Sequence, residues 1–148
     1  MRGKPCRFAP VPIVDIATAR NRDREAQEDT TVQYAALIYD DPTKAPDPES
    51  PEGAAIFQRY VELTEQISAE GVNKGGEALY GVDMATSIRI RGGELQITDG
   101  PFAETKEHLG GFYLIEADDL DHAIKIASRI PAVETGTVEL RPVWDFSE

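Results

Sequence analysis

The sequence predicts an α+β fold: a ferredoxin-like antiparallel sheet with two helices on one face and an inserted β-hairpin. Three observations lead there. Six short segments are continuously or alternately apolar, two longer ones repeat apolar residues at helical spacing, and Gly92-Gly93 joins two alternating runs as a tight-turn signal. The element order is then β-α-β-β-β-β-α-β, and two helices with a single apolar stripe each suit one side of a sheet.

Val32 to Tyr39 is apolar on both alternating faces, as expected of an interior strand. Three prolines and four acids between positions 40 and 49 break it and predict an exposed loop. A helix follows, with Ser50 as N-cap, Pro51 at the first helical position and Glu52 in the first turn. Its buried stripe reads Ile56, Tyr60, Leu63 and Ile67, widened by Phe57 and Val61. Gly71 fits the left-handed position after the helix, which brings Val72 against Ile67. Gly75 to Tyr80 is a short extended piece. Met84, Thr86, Ile88 and Ile90 then alternate with Ala85, Ser87, Arg89 and Arg91, and Glu94 to Thr98 returns as the hairpin partner. Gly111 to Glu116 is another strand. Asp118 caps a second helix whose expected stripe is Leu120, Ala123, Ile124, Ala127 and Ile130, stopped by Pro131. Thr137 to Arg141 closes the sheet. With both helices on one face, the other needs cover, and a second copy packed face to face would supply it. A homodimer is expected.

The chain has 148 residues, which fits one domain at residues 31–148 preceded by an N-terminal extension at 1–30, partly helical after Asp15. The net charge is −12, and the 118 residues after position 30 hold nine basic and 22 acidic side chains. Such a body repels phosphate backbones and anionic lipid, so neither nucleic acid nor membrane is an expected partner. Cys6 is the sole cysteine, which leaves no intrachain disulfide and no cysteine metal cluster. Pro10, Pro12 and Asp15 interrupt the only apolar run near the N-terminus, so no signal peptide is read and a cytoplasmic location is expected.

From Asp99 the chain reads Asp99-Gly100-Pro101-Phe102-Ala103-Glu104-Thr105-Lys106-Glu107. This run resembles the DGPFAETKE signature of the DGPF branch of the YCII-related family. Gly76-Glu77-Ala78-Leu79, Leu109 to Ile115 and Val138 to Val143 resemble further segments of that branch in the same order, covering about residues 31–143. The resemblance implies a dimeric α+β barrel and no established reaction. Some members are encoded beside extracytoplasmic-function sigma factors, which implies a regulatory setting and a sigma factor as a partner. Smaller family members carry a His in the first helix and an Asp near its end. Here that helix has no His, and Ala69 stands where the Asp would fall, so the pair does not carry over.

Within the signature, Gly100 permits backbone angles closed to other residues and Pro101 fixes its own φ, which holds Asp99 in a defined turn. Glu104 and Lys106 follow closely, so Asp99, Lys106 and Glu104 are the candidate catalytic acid–base groups. The alternative is that Asp99 bonds loop amides and Lys106 neutralises neighbouring acids. Glu77, Tyr39, Tyr113 and Phe102 are candidate ligand-binding residues. Glu77 either faces a dimer cavity or pairs with Arg89, and the two tyrosines either line that cavity or pack in the core with a wet tip. His108 and His122 lack ligand spacing, so no metal is expected. No glycine pair opens a helix as a phosphate cradle, and no cofactor is expected. The leading reading is a homodimeric small-molecule-binding or regulatory module. The alternatives are a small isomerase or hydrolase using Asp99, and a sigma-factor-associated interaction protein.

Overall fold

A computed structural model describes residues 31–147. Thr30–Trp144 forms one compact unit; Asp145–Ser147 falls in a second, where Asp145 accepts a hydrogen bond from the Ser147 amide (2.8 Å). The helix expected after Asp15 lies outside the described residues.

The elements are β1 (Val32–Asp40), α1 (Pro51–Ala69), β2 (Asn73–Ala78), β3 (Thr86–Arg91), β4 (Glu94–Asp99), β5 (His108–Ala117), α2 (Leu120–Ala127) and β6 (Thr137–Pro142). Four strands form an antiparallel sheet in the order β2-β5-β1-β6, with β1 interior as its apolar run predicts, and this is the ferredoxin-like order. Among the described residues β3 and β4 pair with each other alone, as a separate two-stranded ribbon.

Local chemistry explains the boundaries of α1. Ser50 is extended (φ −76°, ψ 158°), and its hydroxyl accepts from the Gly53 amide at 3.0 Å. At the other end Gly71 has φ +76°, the Gly71 amide donates to Ser68 O (3.0 Å) and the Val72 amide to Ile67 O (3.1 Å). That pair of bonds is the Schellman ending the sequence predicts. In the ribbon, Gly92 and Gly93 have φ +60° and +81°, both left-handed, as a two-residue turn between twisted strands requires.

Tyr34, Ala36 and Ile38 of β1 and Ile115 and Ala117 of β5 are buried against Leu63 and Ile67 of α1 and Ala123, Ile126 and Ala127 of α2. Ile67 and Ile115 are both 1% exposed, each stabilising the fold by about 1.5–3 kcal/mol.

Several expectations need correction. Asp119, not Asp118, caps α2: its carboxylate accepts from the His122 amide at 2.7 Å. Ile126 is buried in place of Leu120 and Ile124, which lie about half exposed because α2 meets the sheet one residue around from the predicted stripe. Phe57 is 69% exposed and does not widen the buried stripe of α1. The loop after β1 is not exposed throughout. Asp41 is buried, with its carboxylate accepting from the Thr43 amide and hydroxyl (2.9 and 2.6 Å).

Candidate functional site

Alternation and register divide the side chains of the four-stranded sheet. One face carries Tyr34, Ala36 and Ile38 toward the helices. The opposite, open face carries Ala35, Leu37 and Tyr39 of β1, and the register sets Leu114 and Arg141 beside Ala35, and Phe112 and Glu139 beside Leu37. Glu77 of β2 pairs with Phe112, which puts it on the open face too. It is exposed, not buried in its strand, and it makes no ion pair with Arg89, which stands on the separate ribbon. On the same face, Lys74 pairs with Glu116 (3.3 Å) and Arg141 with Glu139. Glu77 is left without a cation among the described residues. Tyr39 and Tyr113 do not share a face: Tyr39 has the parity of the open side, while Tyr113 packs on the core beneath α1.

The ribbon also has two unlike faces. Cross-strand pairs Ile88–Ile97 and Ile90–Leu95 share one side with Thr86–Asp99, while Ser87–Thr98, Arg89–Gln96 and Arg91–Glu94 share the other. The four aliphatic residues are 62–67% exposed. A lone two-stranded hairpin is marginal in water, and this apolar side lies open in the single chain. Asp99 ends that side.

The turn after Asp99 is held by backbone and not by the Asp99 carboxylate. Gly100 has φ +104°, its amide donates to Ala85 O (2.7 Å), and its carbonyl accepts from the Ser87 hydroxyl (2.7 Å). Phe102 is 83% exposed. Further on, the Thr105 hydroxyl donates to Glu107 O (2.7 Å), and His108 Nε2 lies 2.8 Å from Thr105 O. Asp99, Glu104 and Lys106 are all exposed, and no ion pair joins them among the described residues. Lys106 instead contributes weakly to holding the Asp41 carboxyl below its usual range, behind the Thr43 hydroxyl and amide.

A second polar group, which the sequence did not single out, lies on the helix side. Asp40 ends β1 opposite His108, half buried, with no hydrogen bond or ion pair to its carboxylate among the described residues. Burial raises its pKa above the ordinary value, and the nearby Glu107 charge adds to the shift. Tyr60 is pushed up to about 12, first by burial and then by the charge of Asp40. Beside it, Thr64 donates to Tyr60 O (2.8 Å) and so receives the Tyr113 hydroxyl (2.9 Å). The signal was parity: Asp40 continues the Tyr34-Ala36-Ile38 series onto the core face, although its polar, loop-side neighbours read as a strand breaker.

Two shallow hollows indent α1. One of about 280 Å³ is lined by Phe57, Tyr60, Val61, Thr64 and Glu65. The other, of about 310 Å³, is bordered by Arg59 and Arg129, which already bind Glu134 and Glu70. Neither is lined by Asp99, Glu104, Lys106, Glu77, Tyr39, Tyr113 or Phe102. Among the described residues no group of three or more His, Cys, Asp or Glu is placed to hold a metal ion, and no helix is long and apolar enough to cross a membrane.

The YCII-related domain matches residues 32–147. A protein of Rhizobium meliloti (strain 1021), named only as uncharacterized, is 36% identical over 119 residues, covering 74% of this chain and 90% of its own length.

Proposed function

The chain belongs to the YCII-related domain family, and on that footing we propose that it is a homodimeric module that binds a small polar or aromatic molecule between two sheets. Its 99–107 run argues for the DGPF branch. The observation that carries the reading is the open sheet face, where Leu37, Phe112 and Leu114 form an apolar floor beside the hydroxyl of Tyr39 and Glu77, which pairs with no cation among the described residues. A floor of that kind, with few polar groups at its edge, is how small-molecule sites combine affinity with orientation. Packing a second copy over it makes the dimeric barrel and encloses the hollow. Glu77 then asks for a hydrogen-bond donor on the ligand, such as an amine, amide or protonated ring nitrogen.

The acid–base reading of Asp99, Lys106 and Glu104 ranks second, because all three are exposed and no ion pair joins them among the described residues. A sigma factor held by the acidic surface is the third, and its binding would weaken with added salt. Light scattering and a thermal-shift screen of soluble metabolites separate them. The module reading expects a mass of two chains and a compound that raises the melting temperature of the parent but not of Glu77→Gln. A monomer with no responding compound would sink it. Turnover that survives Glu77→Gln and vanishes in Asp99→Asn would move the assignment to the enzyme.

A further inference from the structure

We infer that the β3–β4 ribbon is an arm that acts in trans: its apolar side reaches over the open sheet face of the second copy as part of the roof above the floor of Leu37, Phe112 and Leu114, so that Asp99 and Phe102 of one chain close the hollow of the other. This rests on the homodimer reading above and deepens it, because each site is then incomplete without the partner copy.

The ribbon is fastened where it leaves the sheet. Leu79 N donates to Gly110 O (2.8 Å) and Gly100 N to Ala85 O (2.7 Å), so its base is set while its apolar side remains open. Met84, Ile88, Ile90, Leu95, Ile97 and Phe102 are each more than 60% exposed. About two thirds of each remains to be covered, roughly 40–80 Å² apiece on the scale of ~25 cal/mol/Å², hence about 250–500 Å² per copy. That is as large as the largest apolar patch of an ordinary monomer, about 300–600 Å², and it supplies roughly a third to a half of the ~800 Å² per partner of a standard interface. The open sheet face supplies the remainder.

The occupant is a second copy because the chain carries both halves of the contact. The ribbon offers a two-by-two array of aliphatic side chains on paired strands. The sheet offers Ala35, Leu37, Phe112 and Leu114 with no helix of the unit over them. Two identical chains related by a two-fold axis satisfy ribbon and sheet together, twice, and the assembly closes. Asp99 has the parity of Ile97, so seating the ribbon carries its carboxylate to the edge of the partner's floor, and Phe102 follows three residues later.

The test places the photoreactive residue p-benzoylphenylalanine at Ile97, and separately at Ile88. Both positions are exposed in the single chain, so either tolerates the bulk. Light and nitrogen-15-labelled copies are refolded together and irradiated, and linked peptides are mapped by mass. The expected result is links joining a light ribbon to heavy peptides from 32–40 or 108–117, and the converse. Same-isotope links alone, in a protein that light scattering shows to be dimeric, would overturn the arm and leave the dimer standing. Mixed links from ribbon to ribbon would overturn the seat on the sheet. A monomeric mass of the unsubstituted chain would overturn both this inference and the function it rests on.

Discussion

Replacing Ile88 and Ile97 together by Ser tests whether the ribbon's apolar side is an interface or simply surface. The two residues are directly opposed in register and 67% and 63% exposed. A fully buried aliphatic side chain contributes about 1.5–3 kcal/mol. Within one chain only about a third of each is covered, so the double change costs folding about 1–2 kcal/mol. In the dimer the other two thirds are buried in both copies, which comes to about 4–8 kcal/mol of association free energy. At about 1.4 kcal/mol per decade, the dimer Kd should rise roughly a thousand-fold or more. Sedimentation equilibrium over a range of concentrations measures it, with circular dichroism to show that the variant remains folded. A folded variant whose Kd moves less than tenfold would refute the reasoning, since the area would then not be buried between copies.

Ile67→Ala removes a side chain that is 1% exposed between α1 and the sheet and should cost about 2–5 kcal/mol in urea unfolding; a loss below about 1 kcal/mol would mean the core is not packed as described. Gly53→Ala would ordinarily favour a helix by about 1 kcal/mol, but here the new methyl carbon would lie 2.2 Å from Asp47 O, so the melting temperature should fall, and a rise would contradict the tight packing of the cap. Asp40 holds its proton more tightly folded than unfolded, where its value is near 3.9, so stability is lost as pH rises through that value and on through the higher folded one. Asp40→Asn should therefore melt higher than the parent near about pH 7, with the difference closing toward about pH 3, and a variant that gains nothing at neutral pH would show that the carboxylate is not strained by burial.

Much of the fold was legible because it is written in short-range chemistry. Ser50, Pro51 and Gly71 mark the ends of α1 through hydrogen bonds to atoms within a few residues. Gly92-Gly93 marks the ribbon turn through backbone angles that only such residues adopt readily. At the start of α2 the sequence reads Asp118 as the cap, whereas only the backbone path into the helix brings the neighbouring Asp119 within reach of the His122 amide. The stripe of α2 failed for a related reason: Ile124 and Ile126 both sit on an apolar helix, and only the angle at which α2 meets the sheet selects between them.

Sequence alone determined which segments are strands and helices, that both helices belong on one side, and that the run from Asp99 to Glu107 sits at a strand end behind a glycine. Local turns, caps and periodicity are enough for that, since each involves residues close together in the chain. Tertiary structure alone decided that Glu77 stands on the open face, that Tyr39 and Tyr113 are divided by the sheet, that Asp99, Glu104 and Lys106 are exposed with no ion pair joining them among the described residues, and that the charge of Asp40 reaches Tyr60. Those facts follow from strand register and from how far side chains of distant segments are drawn out of water. Neither quantity is carried by any one stretch of the chain.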